Sequence, residues 1–181
     1  MFKETKNQHK LKHLIMAQIT LGGKPVHTLG SLPAVGTSAP DFVLVKNDMS
    51  KVSLKDFAGT RLVLNVFPTL ETGICSASIR RFNQEAANLK NTKVLCISRD
   101  LPQTQARFCG AEGINNAITL SDFASGKFGR DYQLLMTDGI WADLLSRSVI
   151  VLDENHKVIY TQQVPEIAEE PDYEKALASL K

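Results

Sequence analysis

The sequence predicts an α/β protein: a mixed β-sheet covered by helices on both faces, three layers in all, with a β-hairpin added on the N-terminal side. Three observations carry this. Short apolar runs and amphipathic segments alternate from Leu62 to Cys109, a pattern that is satisfied when helices pack on a sheet. A strand–turn–strand pattern about Asp153-Glu154-Asn155-His156 adds an antiparallel pair, so the sheet is mixed. A second such pattern, over residues 18–29 with its turn at Gly22-Gly23-Lys24-Pro25, precedes the alternating part.

The elements follow in order. Residues 1–15 carry Lys3, Lys6, Lys10 and Lys12 against the single Glu4, with no periodic apolar face. The island Leu14-Ile15-Met16-Ala17 is too short for the core of a secretory signal. The expectation is a basic, disordered tail over residues 1–16, or a start assigned upstream of Met16, followed by a single domain over residues 17–181. After the hairpin, a loop rich in Gly, Pro and Ser leads to a strand at Phe42-Val43-Leu44-Val45 and a turn at Asn47-Asp48. The run from Leu62 to Phe67 is a buried strand, ended by Pro68, which cannot donate to a sheet ladder.

Thr72 then caps a helix whose inner face is Ile79, Phe82, Ala86 and Leu89. Arg80, Arg81, Asn83, Gln84 and Glu85 lie on the outer face. Lys93 to Ser98 is a second apolar strand. Asp100 and Pro102 start a short helix through Arg107, Phe108 and Cys109, stopped by Gly110 or Gly113. A short strand at Ala117 to Leu120 is followed by an irregular stretch to Leu145 that holds Trp141. Strands at 148–152 and 158–162 form the second hairpin. Pro171 opens a final helix with Tyr173, Ala176, Leu177 and Leu180 at core spacing.

Composition narrows the function. A chain of 181 residues, 43% hydrophobic and 22% charged, is a soluble globular domain able to bury a proper core. A net charge of +2 gives no reason to propose nucleic acid or an anionic membrane as partner. No apolar run approaches the ~20 residues that span a bilayer. Three cysteines are an odd number, and a domain of this size needs no disulfide framework. The expectation is thiol chemistry in a reducing, cytoplasmic compartment.

Cys75 is the candidate nucleophile. With Thr72 as N-cap it sits in the first helical turn, where unpaired N–H groups and the helix dipole stabilise a thiolate. The bland alternative is a small buried hydrophobe, as most free cysteines are. Cys96, inside an apolar strand, reads as core. By helix spacing alone Arg80 and Arg81 are the nearest cations, but they fall on the polar face as solvated charge.

The run Phe67-Pro68-Thr69-Leu70-Glu71-Thr72-Gly73-Ile74-Cys75 resembles the Pro-x-x-x-Thr-x-x-Cys signature of peroxiredoxins, and within them the atypical two-cysteine thiol peroxidases. That resemblance implies a thioredoxin-like fold and the reduction of hydrogen peroxide or organic hydroperoxides. It implies that Cys75 is the peroxidatic cysteine and that Thr72 directs its hydroxyl at the sulfur or the peroxide. Pro68 would exclude water from the thiolate, and Arg147, heading the strand Ser148-Val149-Ile150-Val151, would supply positive charge. The segment Arg107-Phe108-Cys109-Gly110-Ala111-Glu112-Gly113 is similar to the one that carries the resolving cysteine, which makes Cys109 that residue and a Cys75–Cys109 disulfide the product. Thioredoxin as reductant and a homodimer are also implied, with no metal or organic cofactor. The helix offsets predict that the two sulfurs stand too far apart to bond in the reduced protein.

Three rivals are weaker. Cys75 and Arg81 have the Cys-x5-Arg spacing of cysteine-dependent phosphatases, but no glycine lies between them to shape a phosphate loop. A disulfide oxidoreductase wants Cys-x-x-Cys, and position 78 is Ser. A non-enzymatic redox sensor would use the same thiols without turnover.

Overall fold

The structure, a computed structural model, describes residues 16–181. The expected tail therefore lies, except for Met16, outside the described residues. Seven strands form one mixed sheet in the order β4-β3-β7-β6-β5-β8-β9. They are β3 (Val43–Lys46), β4 (Lys51–Ser53), β5 (Arg61–Val66), β6 (Thr92–Ser98), β7 (Ala117–Ser121), β8 (Ser148–Leu152) and β9 (Val158–Gln163). A separate two-stranded sheet joins β1 (Gln18–Leu21) to β2 (Lys24–His27). The helices are α1 (Gly73–Ala86), α2 (Pro102–Glu112), α3 (Lys127–Asp131) and α4 (Tyr173–Ala178), with a 3-10 turn at Leu54–Phe57.

β5 is an interior strand, parallel to the central β6 and antiparallel to β8. It is covered on both faces, which is why its sequence from Leu62 to Val66 is apolar on both sides rather than alternating, interrupted only by the buried Asn65. Leu62, Leu64 and Val66 point to one layer, where they meet Phe42, Leu44, Phe128, Tyr132 and Leu145. Val63 and Phe67 point to the other, beneath Ile79 and Phe82 of α1 and Ala176 of α4. The crossover from β5 through α1 to β6 puts the residues after Val66 at the carboxyl edge of the parallel strands. Open α/β sheets keep their sites there.

Four local expectations are refined. The first hairpin turns on Gly22 and Gly23 alone, with φ of 60° and 75°, so Lys24 and Pro25 belong to β2. A two-residue turn with both φ positive matches the twist of the strands, and Pro25 is tolerated in a two-stranded sheet, where every strand is an edge. α2 runs past Gly110 and stops at Gly113, which takes the left-handed conformation at φ 64°. The stretch expected to be irregular contains α3, where Gly129 lets Leu145 and Leu135 approach to 2.6 and 2.9 Å of where a Cβ would stand. Finally, Pro171 precedes the last helix rather than opening it; Asp172 is the N-cap and accepts from the Lys175 N–H at 3.0 Å.

Candidate active site

The loop after β5 is held at both ends. The Phe67 N–H donates to the Ile97 carbonyl at 3.1 Å, which extends the β5–β6 pairing by one residue. Pro68 follows and is buried. Beyond it, Asp100 gathers the loop: its carboxylate accepts from Thr69 Oγ1 at 2.7 Å, the Leu70 N–H at 2.9 Å and Ser98 Oγ at 2.7 Å. The sequence shows Asp100 only as a helix-start residue, and its work on a loop thirty positions earlier carries no local signal.

Thr72 is extended and caps α1. Its hydroxyl accepts from the Cys75 N–H at 3.4 Å and donates to Cys75 Sγ at 2.8 Å. One hydroxyl thus ends the helix and supplies a donor to the sulfur. Arg147 adds a second: Nη2 donates to Cys75 Sγ at 3.2 Å, while Nε donates to the Ile167 carbonyl at 2.8 Å. Cys75 is 0% exposed and Arg147 1%. A guanidinium buried this deeply is held by hydrogen bonds rather than by water, and these two contacts, one to a sulfur and one to a carbonyl, are the ones it makes. Nη1 of the same side chain is buried with no partner among the described residues, a donor available to a substrate oxygen.

Cys109 is not brought to this cluster. Its sulfur lies 3.4 Å from Thr119 Oγ1, whose hydroxyl donates to Asn47 Oδ1 at 3.0 Å. Thr119 is on β7, whereas Arg147 and Cys75 lie at the β5–β8 side, with β6 between. Two interstrand steps amount to about 10 Å, far beyond bonding distance, and all three cysteines are free thiols. Cys96 is fully buried, its sulfur 3.6 Å from Asn65 Nδ2, and burial pushes its thiol up to about 12. At neutral pH it is an inert part of the core.

The other arginines are spent elsewhere. Arg80 donates to Glu112 at 2.7 Å, and Arg81 to Glu85 and Glu174 at 3.0 and 3.1 Å, all on the surface. Residues 75–81 are helical throughout, so the phosphatase spacing builds no phosphate loop. Ser78 is buried and donates to the Cys75 carbonyl. No group of His, Cys, Asp and Glu among the described residues has the geometry of a metal site.

Residues 34–177 match the Redoxin family. The chain is 51% identical over 165 residues to a thiol peroxidase of Corynebacterium glutamicum, covering 91% of this chain and 99% of the relative. Among solved structures, a peroxiredoxin-like protein from Aquifex aeolicus superposes with a TM-score of 0.86 at 33% identity, over 92% of this chain and 97% of that one. A thiol peroxidase from Chromobacterium violaceum superposes with a TM-score of 0.82 over 90% and 94% of the two chains; at 20% identity it speaks to the fold.

Proposed function

The chain belongs to the Redoxin family, as a thiol peroxidase of thioredoxin-like fold, and on that premise we propose that Cys75 is its peroxidatic cysteine and Cys109 its resolving cysteine. The observation that carries the first assignment is the pair of donors on one buried sulfur, Thr72 Oγ1 at 2.8 Å and Arg147 Nη2 at 3.2 Å; the second rests on the likeness of the Cys109 segment to the one that carries the resolving cysteine in the family. The thiolate attacks the terminal oxygen of a hydroperoxide. The O–O bond breaks, its electron pair leaves on the distal oxygen, and that oxygen takes a proton to become water or an alcohol. Cys75 is left as a sulfenic acid. Negative charge grows on the departing oxygen, where donors fixed in advance by Arg147 and Thr72 act most strongly. Pro68, buried ahead of the loop, keeps water from the sulfur.

The Cys109 thiolate then attacks Cys75 Sγ, expelling hydroxide as water and forming a disulfide. The dithiol of thioredoxin returns the two electrons. The α1 first turn or α2 must open for this, because the reduced sulfurs face different strands. Hydrogen peroxide and organic hydroperoxides both fit as substrates, the latter because Phe67 and Leu70 give the loop an apolar lining. The working form in this proposal is a cytoplasmic homodimer. No helix among the described residues is long and apolar enough to cross a membrane.

The test is peroxide-dependent oxidation of NADPH in the presence of thioredoxin and its reductase. Wild type should turn over and Cys75→Ser should not. Normal turnover by Cys75→Ser would remove Cys75 from the chemistry, and peroxide oxidation without turnover would favour a sensor.

A further inference from the structure

No hydrogen bond among the described residues joins the N-terminal hairpin to Cys75 or Cys109, yet the hairpin is fastened to the segment that holds Arg147. The Glu166 carboxylate accepts from the Gly22 and Gly23 N–H groups at 3.0 Å each and from Thr20 Oγ1 at 2.8 Å. It also accepts from the Ala168 N–H of its own loop at 3.0 Å. The positive φ at both glycines turns their N–H groups onto one anion. On either side of Glu166 the backbones bond directly: Thr20 N–H to the Pro165 carbonyl at 2.7 Å, and Ile167 N–H to the Thr20 carbonyl at 2.8 Å. The Ile167 side chain is fully buried among Ile19, Val26 and Met136. Its carbonyl is the one that accepts from Arg147 Nε.

We infer that Glu166 is a positioning residue for the peroxidase reaction: docked on the hairpin turn, it fixes the Ile167 carbonyl and so aims the Arg147 guanidinium at the Cys75 sulfur. This rests on Arg147 serving Cys75 as proposed above. A planar guanidinium is oriented only when two of its edges are held. Nη2 is on the sulfur, so Nε on the Ile167 carbonyl is the contact that sets the angle. A misplacement of about 1 Å at a reacting centre costs on the order of 10²-fold in rate, and a partial loosening correspondingly less. Those same backbone bonds hold the Glu166 carboxyl at about 2, fully ionised wherever the enzyme works. Glutamine would lose the charge that strengthens every one of these bonds and would turn an NH2 toward N–H donors.

The experiment measures the single-turnover rate of Cys75 oxidation by hydrogen peroxide, and the thiolate absorbance at neutral pH, in Glu166→Gln, Thr20→Val, Arg147→Ala and the Glu166→Gln/Arg147→Ala double variant. Glu166→Gln should slow oxidation roughly tenfold and reduce the thiolate fraction, and Thr20→Val should do both to a smaller extent. In the Arg147→Ala background Glu166→Gln should cost nothing further, since its effect passes through that side chain. If Arg147→Ala is slow while Glu166→Gln and Thr20→Val react at the wild-type rate, the inference fails and the role of Arg147 stands. If the two losses multiply in the double variant, Glu166 acts through something other than Arg147 and the inference fails. If Arg147→Ala itself reacts normally, the underlying assignment of Arg147 is what fails. Should Glu166→Gln not fold, Thr20→Val, which removes one hydroxyl, decides alone.

Discussion

Two donors on the Cys75 sulfur differ in charge, and that difference can be measured. Arg147→Ala removes a full cation and Thr72→Val a neutral hydroxyl, so each should slow reaction with peroxide by at least ~10²-fold, as for loss of one oxyanion donor. Arg147→Ala should also leave less of Cys75 as thiolate at neutral pH, and by more than Thr72→Val does. Stopped-flow oxidation with ultraviolet detection of thiolate reads both, and an unchanged thiolate fraction in Arg147→Ala would mean another cation serves the sulfur. Cys96→Ala should react at the wild-type rate, because a thiol held near 12 by burial takes no part at neutral pH. At this scale the sequence was legible where function follows local spacing: Pro68, Thr72 and Cys75 lie within eight positions, and a cap, a helix start and a thiol can be read there together. Arg147 came from resemblance alone, since nothing local to it points at Cys75. Asp100 and the Ile167 carbonyl were missed because their partners come from loops distant in sequence, and a backbone carbonyl carries no residue-type signal.

Among the elements, α2 carries the proposed resolving cysteine, and its stability bears on the second half of the proposed reaction. Cys109 sits in its second half, tied to Thr119, and the helix ends on Gly113 in the left-handed conformation. A Cβ at Gly113 meets no neighbour within 4 Å, so Gly113→Ala imposes backbone strain alone. That strain is about 1 kcal/mol, enough to raise the population of a locally opened α2 roughly fivefold. If α2 is the element that opens, Gly113→Ala should form the Cys75–Cys109 disulfide faster and accumulate less sulfinic acid at Cys75 under excess peroxide. Cys109→Ser should show the opposite extreme: one fast turnover, no recycling by thioredoxin, and ready overoxidation. Mass spectrometry after graded peroxide distinguishes these states. An unchanged partition in Gly113→Ala would place the opening in the first turn of α1. Strand and helix identities were legible from periodicity here, whereas the boundary between Gly110 and Gly113 was not. Either glycine can end a helix, and the backbone of the α2–β7 connection chose the second. α3 was hidden for a related reason: at five residues, Lys127–Asp131, it is too short to display a period.

Across the molecule, the described residues form three apolar cores, and the smallest is the most exposed to acid. Ile19, Val26, Met136 and Ile167 form it, with Trp141 packed against them. Two carboxylates hold that core to the body. Glu166 binds the Gly22–Gly23 turn and is held at about 2 against an ordinary 4.5. Asp138 accepts from the His27 N–H at 2.8 Å and contacts the His27 ring at 2.7 Å, and these bonds lower its carboxyl as well. Both groups are lowered on docking, so their contribution is fully present above the undocked value and is lost as pH falls through the docked one. For Glu166 that window runs from 4.5 down to about 2. The two large cores are built from aliphatic and aromatic side chains whose burial does not titrate. The buried carboxylate beside them, Asp122, accepts from the Phe128 and Gly129 N–H groups at 3.3 and 2.9 Å, but burial pushes its carboxyl up, so its protonation in acid does not oppose the folded state. The hairpin should therefore loosen before the sheet unfolds. Trp141, the only tryptophan, stands beside the joint and reports it without a label. Acid titration should change Trp141 emission at a higher pH than it changes the far-ultraviolet circular dichroism of the sheet. In Glu166→Gln, where the charge is already absent, the emission at neutral pH should be shifted toward the acid value and the early step should shrink. Coincident fluorescence and dichroism transitions in wild type would mean the hairpin and the sheet melt as one unit, and that the Glu166 anchor is too strong, or too well shared with Asp138, to release first.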